Sequence, residues 1–206
     1  MDSTLSNDQS YGAVGDFSHS EGGKSSAQGK RSHAEGTTTI AKGGYSHAEG
    51  NNSVSYGSNS HAEGQKTTAY GSNAHSEGFI TLSQGNHSHA EGNNTTAIGD
   101  NSHAEGFETV AGQSNTAGHS AHAEGIGAKA TGNGAHAEGG KTQATNMHAH
   151  AEGFETVASG QNSHAEGNGA RAFGHNSHAE GYQTIADGEN SHTEGWDTAT
   201  SYIGAH

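Results

Sequence analysis

The sequence predicts an all-β chain, a parallel β-roll or solenoid made of 14-residue coils with two short strands each. Three observations carry that expectation. One pentapeptide of the type Ser-His-Ala-Glu-Gly returns at a fixed period. Small residues alternate with larger ones at period 2 on both halves of the period. Glycine holds two fixed positions in it. Periods of this kind are the signature of stacked repeat architectures, and alternation at period 2 is that of strands.

The histidines come first. His19, His33, His47, His61, His75, His89, His103, His122, His136, His150, His164, His178 and His192 are separated by 14 residues, except for one step of 19 between His103 and His122. Each is followed two residues later by glutamate: Glu21, Glu35, Glu49, Glu63, Glu77, Glu91, Glu105, Glu124, Glu138, Glu152, Glu166, Glu180 and Glu194. With histidine as position 0, position +3 is always glycine, and position −4 is glycine in every copy but one, where Asn146 stands. Glycine, and after it asparagine, tolerates φ > 0, so these positions are expected to be the two corners of the coil. The glycine density excludes a helix.

The small residues come next. Positions −1 and +1 are Ser, Ala or Thr throughout, and so are +6 and +8 (Thr39 and Ala41, Ser53 and Ser55, Ala128 and Ala130). They are expected to face one another across a thin interior while successive coils pair as parallel strands and satisfy the backbone. About fourteen coils at roughly 4.8 Å each make a rod about 65–70 Å long. The whole chain, 1–206, is read as one repeat domain. Its coils run over about 10–204, an irregular insertion lies near 107–121, and a C-terminal cap or neck begins in 196–206.

Composition agrees. Only 27% of the 206 residues are hydrophobic and 34 are glycine, which leaves too little for an ordinary core. There is no cysteine, which removes disulfides and thiolate metal sites. With 8 Lys and Arg and a net charge of −14, nucleic acid is a poor partner. No apolar run is long enough to span a membrane. The first ten residues, MDSTLSNDQS, have neither a basic flank nor a hydrophobic stretch, so no signal peptide is expected there.

If Ser and Ala point inward, alternation sends His and Glu outward on one face. The outward positions of the other strand, +7 and +9, vary freely: Ile40/Lys42, Val54/Tyr56, Leu82/Gln84, Arg171/Phe173. A uniform outer face is expected to pack against copies of itself, so all 26 His and Glu residues named above are candidate interface residues of a cyclic homo-oligomer. Protonating the thirteen motif histidines brings the charge from −14 to −1. Nearby carboxylates are expected to raise the histidine pKa values and to form charge-assisted bonds between chains. That part of assembly stability would be present below the unfolded histidine pKa and fade as pH rises through the raised one.

Other chemistry fits this pattern less well. Adjacent Ser and His point to opposite faces of a strand, so no hydrolytic triad and no enzyme is expected. Axial histidines could hold Zn²⁺ or Ni²⁺, aided by the His-x-His pairs His87/His89 and His148/His150, although exposed corner residues are the simpler account of the extra histidines. No other cofactor is expected. Position +4 carries Phe79, Phe107, Ile126, Phe154, Tyr182 and Trp196, read as cover for the edge between chains rather than a ligand stripe. In Phe107–Ala121 five extra residues near Gly112–Thr116 are expected to protrude as a recognition loop. Trp196, Tyr202 and Ile203 are expected to cap the last coil or lead into a neck, with the phase broken at Tyr202. Thr recurs at +6, but an ice-binding face fails because +6 and +8 fit the interior.

The hexapeptide Asn-Ser-His-Ala-Glu-Gly at 59–64, 101–106 and 162–167 resembles the head repeat Asn-Ser-Val-Ala-Ile-Gly of YadA-type trimeric autotransporter adhesins. The resemblance covers about residues 10–204. It implies a left-handed β-roll, a side-by-side homotrimer, an extracellular or cell-surface location, and attachment to host matrix or another surface. His and Glu replace the family's Val and Ile, so a polar, pH-sensitive seam stands where an apolar one is expected. SHAEG-type repeats also occur in Gram-positive surface proteins and phage-like fibres. A tail-fibre or spike shaft is therefore the alternative reading, beside a metal- or pH-responsive histidine ladder. The ligand is not legible in the sequence.

Overall fold

The computed structural model describes residues 11–114 and 117–205. The segment read above for a leader, 1–10, two residues of the insertion, 115–116, and residue 206 lie outside it. The chain is a parallel β-solenoid of about thirteen turns, with no helix among the described residues. Each turn contributes a five-residue strand, such as His47–Asn51, and a two-residue strand, such as Val54–Ser55. The long strands stack into a 13-stranded sheet and the short ones into a 14-stranded sheet, every neighbour parallel. The register sets like on like: His75 lies beside His61 and His89, and Glu77 beside Glu63 and Glu91.

The interior is the predicted one. Alanines at +1 and +8, such as Ala48, Ala62, Ala69 and Ala97, are fully buried, and so are +6 threonines such as Thr39, Thr67 and Thr95. Seven of those threonines, among them Thr67 and Thr95, hold a buried hydroxyl without a hydrogen-bond partner. The serine at −1 closes a corner by donating from Oγ to the glycine carbonyl at −4, as in Ser46 to Gly43 at 2.7 Å and Ser102 to Gly99 at 2.6 Å. With Thr buried at +6 in all but the last coil, no Thr array faces water among the described residues.

The corners differ from expectation. Glycine at +3 does take positive φ, from +96° at Gly22 to +114° at Gly36. The −4 glycines do not, apart from Gly118 beside the insertion. They are required because coils touch there: a Cβ on Gly57 would stand 1.9 Å from the Gly71 carbonyl oxygen. The left-handed corner residues sit instead at −2 and +5 and include Arg31, Tyr45, Thr38 and Ile80, with φ between 55° and 60°. Their backbone N–H groups bond to the preceding coil, as Tyr45 N–H does to the Lys30 carbonyl at 2.8 Å. That bond offsets a cost of about 1–2 kcal/mol per non-glycine residue.

The insertion leaves the coil after Gly112 and rejoins it at Gly118, with Ser114 and Ala117 bridged antiparallel at its base. Gly118 stacks under Gly99 as any −4 residue would, so the rod continues in register past the excursion. The expected C-terminal cap and phase break are corrected. The phase is kept at Tyr202, whose carbonyl takes the place of the next −4 glycine against Gly188. Ala205 accepts from His192 N–H at 2.8 Å and so occupies position −1. The side chains of Trp196, Tyr202 and Ile203 are strongly exposed and do not cap the last coil. An open cavity of about 330 Å³ at that end is lined by residues of the last two strands, including Thr193 and Thr200.

Candidate functional site: a histidine and glutamate ladder

The long strands place the predicted His and Glu rows on the outer face of one sheet. Alternation forces this, because the residue between them, Ala or Ser, fills the interior. From His19 to His192 the imidazole centroids are 4.6–5.0 Å apart. Most adjacent rings are nearly parallel, as for His75 and His89 with 1° between planes. All thirteen predicted pairs therefore belong to one continuous strip.

Each ring is about a third exposed in the interior coils, and its Nε2 edge turns toward the glutamate row. The Nε2 of His164 lies 3.2 Å from Glu166, that of His103 3.7 Å from Glu105, and that of His61 3.6 Å from Glu49 in the neighbouring coil. Even so, the Nε2 atoms of His33, His47, His61, His75, His89, His103, His122, His136, His150, His164 and His178 are shielded from water and make no hydrogen bond inside the chain, only these longer approaches to glutamate.

Within a single chain, seven of the motif histidines run against the expected rise in pKa. His47, His75, His89, His103, His122, His150 and His178 are all held below the ordinary imidazole value. Burial is the largest cause, and the next imidazole in the stack is the second. The motif glutamates pull upward without prevailing. Pairing each histidine only with its own glutamate overlooked the equal histidine above it, whose charge opposes protonation.

For metal, four sets bring three ligand atoms within 4.8 Å of one another: His33/Glu35/His47, His61/Glu63/His75, His164/Glu166/His178 and His178/Glu180/His192. The rings of His33 and His47 are 4° from parallel at 4.7 Å, so their in-plane lone pairs run side by side and do not converge on one ion. A shared ion would need a ring to rotate out of the stack. The extra histidines at −2 act as corner residues: His87 Nε2 meets Asn73 at 3.3 Å, and His148 Nδ1 meets Asn162 at 3.3 Å. Neither His-x-His pair forms a site with its motif histidine.

A hydrolytic reading finds no geometry here. Ser46 Oγ is tied to the interior carbonyl of Gly43 while the His47 ring lies on the outer face. The +4 residues form an exposed row at one corner, with Tyr182 and Trp196 stacked at 4.1 Å and Phe79, Phe107 and Phe154 exposed. Sequence reasoning missed a second cluster, on the opposite corner. Lys42 Nζ sits 4.4 Å above the Tyr56 ring, and Tyr56 stacks on Tyr70 at 4.4 Å. The signal available was the spacing of 14 between Lys42, Tyr56 and Tyr70 at position +9.

Compared with known families, the sequence matches the YadA head domain repeat, a two-copy unit, over residues 34–60, 48–74, 82–111 and 151–177. No curated protein matches it.

Proposed function

We propose that this chain, which carries YadA-type head repeats, is the adhesin-like head of a trimeric bacterial surface fibre that attaches to host matrix or another surface. Three rods stand side by side with their His and Glu strips turned to a common axis. The +4 row of Phe, Tyr and Trp covers the edges between them. The head works by presenting a stiff surface, without catalysis and without a cofactor.

One observation carries the reading. The His and Glu strip is uniform over thirteen coils while the other outer face varies, and from His33 to His178 its shielded Nε2 atoms approach glutamates of their own chain without forming a hydrogen bond there. Carboxylates and imidazoles of neighbouring chains supply such partners. A surface facing only water has no use for this uniformity, because free side chains there would be solvated whatever their order. The family supports the same arrangement, since YadA-type repeats imply trimeric self-association and adhesion.

The test is mass in solution by light scattering behind size exclusion at neutral pH, with adherence to immobilised matrix proteins measured on the same preparation. A trimer that adheres is expected. A chain that stays monomeric at micromolar concentration overturns the axial placement of the strip, and a trimer that adheres to nothing overturns the adhesive role.

A further inference from the structure

The histidine ladder changes toward its C-terminal end. His136 and His150 are 2° from parallel, but His164 and His178 are 17° apart, and so are His178 and His192. The shortest approach of a motif imidazole to a carboxylate among the described residues is here too, 3.2 Å from His164 Nε2 to Glu166. Two of the four triads of close ligand atoms, His164/Glu166/His178 and His178/Glu180/His192, meet in His178. Charge marks the same place. Residues 150–206 hold eight Asp and Glu against one cation, Arg171. Arg171 stands on the sheet of short strands, away from the ladder. No Lys or Arg accompanies the glutamate column over these coils.

The spacing suits one metal ion. Nitrogen and oxygen ligands of a tetrahedral zinc, with bonds of about 2.0–2.2 Å, stand about 3.4 Å apart. His164 Nε2 and Glu166 are already close to that spacing. The ligand atom of His178 lies within 4.8 Å of both and must close by at most about 1.4 Å. The two rings have left the parallel arrangement that keeps the lone pairs apart at His33 and His47. The side chains have room to move, since those of His164, His178 and Glu166 are each between a third and a half exposed. Two imidazoles and one carboxylate favour a borderline ion such as zinc over calcium or magnesium, which take all-oxygen sites.

We propose that His164, Glu166 and His178 bind a divalent transition-metal ion of the zinc class, with the fourth position open to water. The ion ties two successive coils together through their side chains. It also sets two positive charges in the glutamate column, whose like charges otherwise repel along the row. His178 serves one triad at a time, so this stretch holds one ion per chain. The site belongs to a single chain and does not rest on the trimeric arrangement, and adhesion requires no ion.

The test is a zinc titration of the whole chain just above neutral pH, in competition with a chromophoric chelator and with calcium and magnesium in excess. One zinc per chain is expected to bind well ahead of any others and to raise the unfolding temperature. His178→Asn and Glu166→Gln should each weaken that first zinc by more than about tenfold, since even groups behind a metal ligand cost that much. His89→Asn and Glu91→Gln, in a coil outside the four triads, should leave it unchanged. Circular dichroism verifies that each variant folds, and Glu166→Gln, an isosteric change on the outer face, keeps the test open if His178→Asn does not. Zinc spread evenly over the ladder with no first site, displacement by calcium or magnesium, equal loss in His89→Asn, or an unaffected Glu166→Gln in a folded chain overturns the site. A chain that stays monomeric yet binds zinc as expected upholds the site and overturns only the axial strip; a trimer without the first zinc sinks the site alone.

Discussion

Three glycine-to-alanine substitutions separate the two reasons for glycine in this rod. Gly57 has an ordinary backbone conformation, but a Cβ there meets the Gly71 carbonyl oxygen at 1.9 Å, its carbon at 2.4 Å and Ser72 N at 2.8 Å. All three are backbone atoms of the next coil, so no side chain can swing away. Overpacking among movable side chains costs about 1–3 kcal/mol, and Gly57→Ala should cost about 3 kcal/mol or more because two coils must separate. Gly195 has nothing within 4 Å of an added Cβ but holds φ at +103°, so Gly195→Ala carries strain alone, about 1–3 kcal/mol. Gly44 has neither problem, its nearest neighbour being the Lys30 carbonyl oxygen at 3.8 Å. Gly44→Ala should stabilise by about 0.4–1 kcal/mol, through the unfolded chain. Denaturant unfolding followed by far-ultraviolet circular dichroism reads all three, since stacked coils couple to their nearest neighbours and a local gap weakens both sides. If Gly57→Ala is as stable as Gly44→Ala, coil-to-coil contact at −4 is not what selects glycine, and the packing account of the rod fails.

Acidification should destabilise the isolated chain. The seven histidines with lowered pKa values favour the neutral form when folded. Their contribution is whole above the unfolded value of about 6.5 and is lost as pH falls through the folded values; histidine NMR titrations with midpoints above the free value at these positions would refute this. Glu77→Gln, which removes an upward pull on His75, should lower the His75 midpoint further in the same experiment. Thr95→Val should stabilise by about 1 kcal/mol, because the buried Thr95 hydroxyl has no partner, whereas Thr81→Val should cost about as much by breaking the 2.9 Å bond to Ser76; equal denaturation midpoints for the two variants would contradict that account. Deleting residues 113–117 restores the 14-residue spacing, and since Gly118 already stacks on Gly99 the rod should keep its stability within about 0.5 kcal/mol. A collapse of the unfolding transition would mean that the insertion holds the coils together.

The interior was legible because nothing larger fits. Two sheets this close admit Ala, Ser and Thr only, and that restriction repeats every fourteen residues in plain sight at −1, +1, +6 and +8. The left-handed corners at −2 and +5 were not legible. Arg31, Tyr45 and Ile80 hold the same φ as Asn59 and Asn73 because backbone bonds to the previous coil stabilise the turn whatever side chain it carries. A conformation fixed by the neighbouring coil leaves little mark on its own residue. The −4 glycines were found, but for the wrong reason, since close approach and positive φ select the same residue type.

The histidines show what the repeat itself enforces. In a parallel register with one residue type per row, every side chain has its own kind above and below. For Ala or Thr that is good packing. For Tyr56 and Tyr70 it is a ring stack. For His and Glu it is like charge on like charge at strand spacing, which is unfavourable along the row. Burial first, and the neighbouring imidazole second, hold seven of the rings below the ordinary imidazole value, and the glutamates are left as a column of thirteen. A lone rod gains nothing from keeping such a column uniform, and free substitution at +7 and +9 shows that the coil itself does not require uniformity. The proposed contact with neighbouring chains would supply that requirement, and the Nε2 edges from His33 to His178, shielded and short of a hydrogen bond within the chain, suit it.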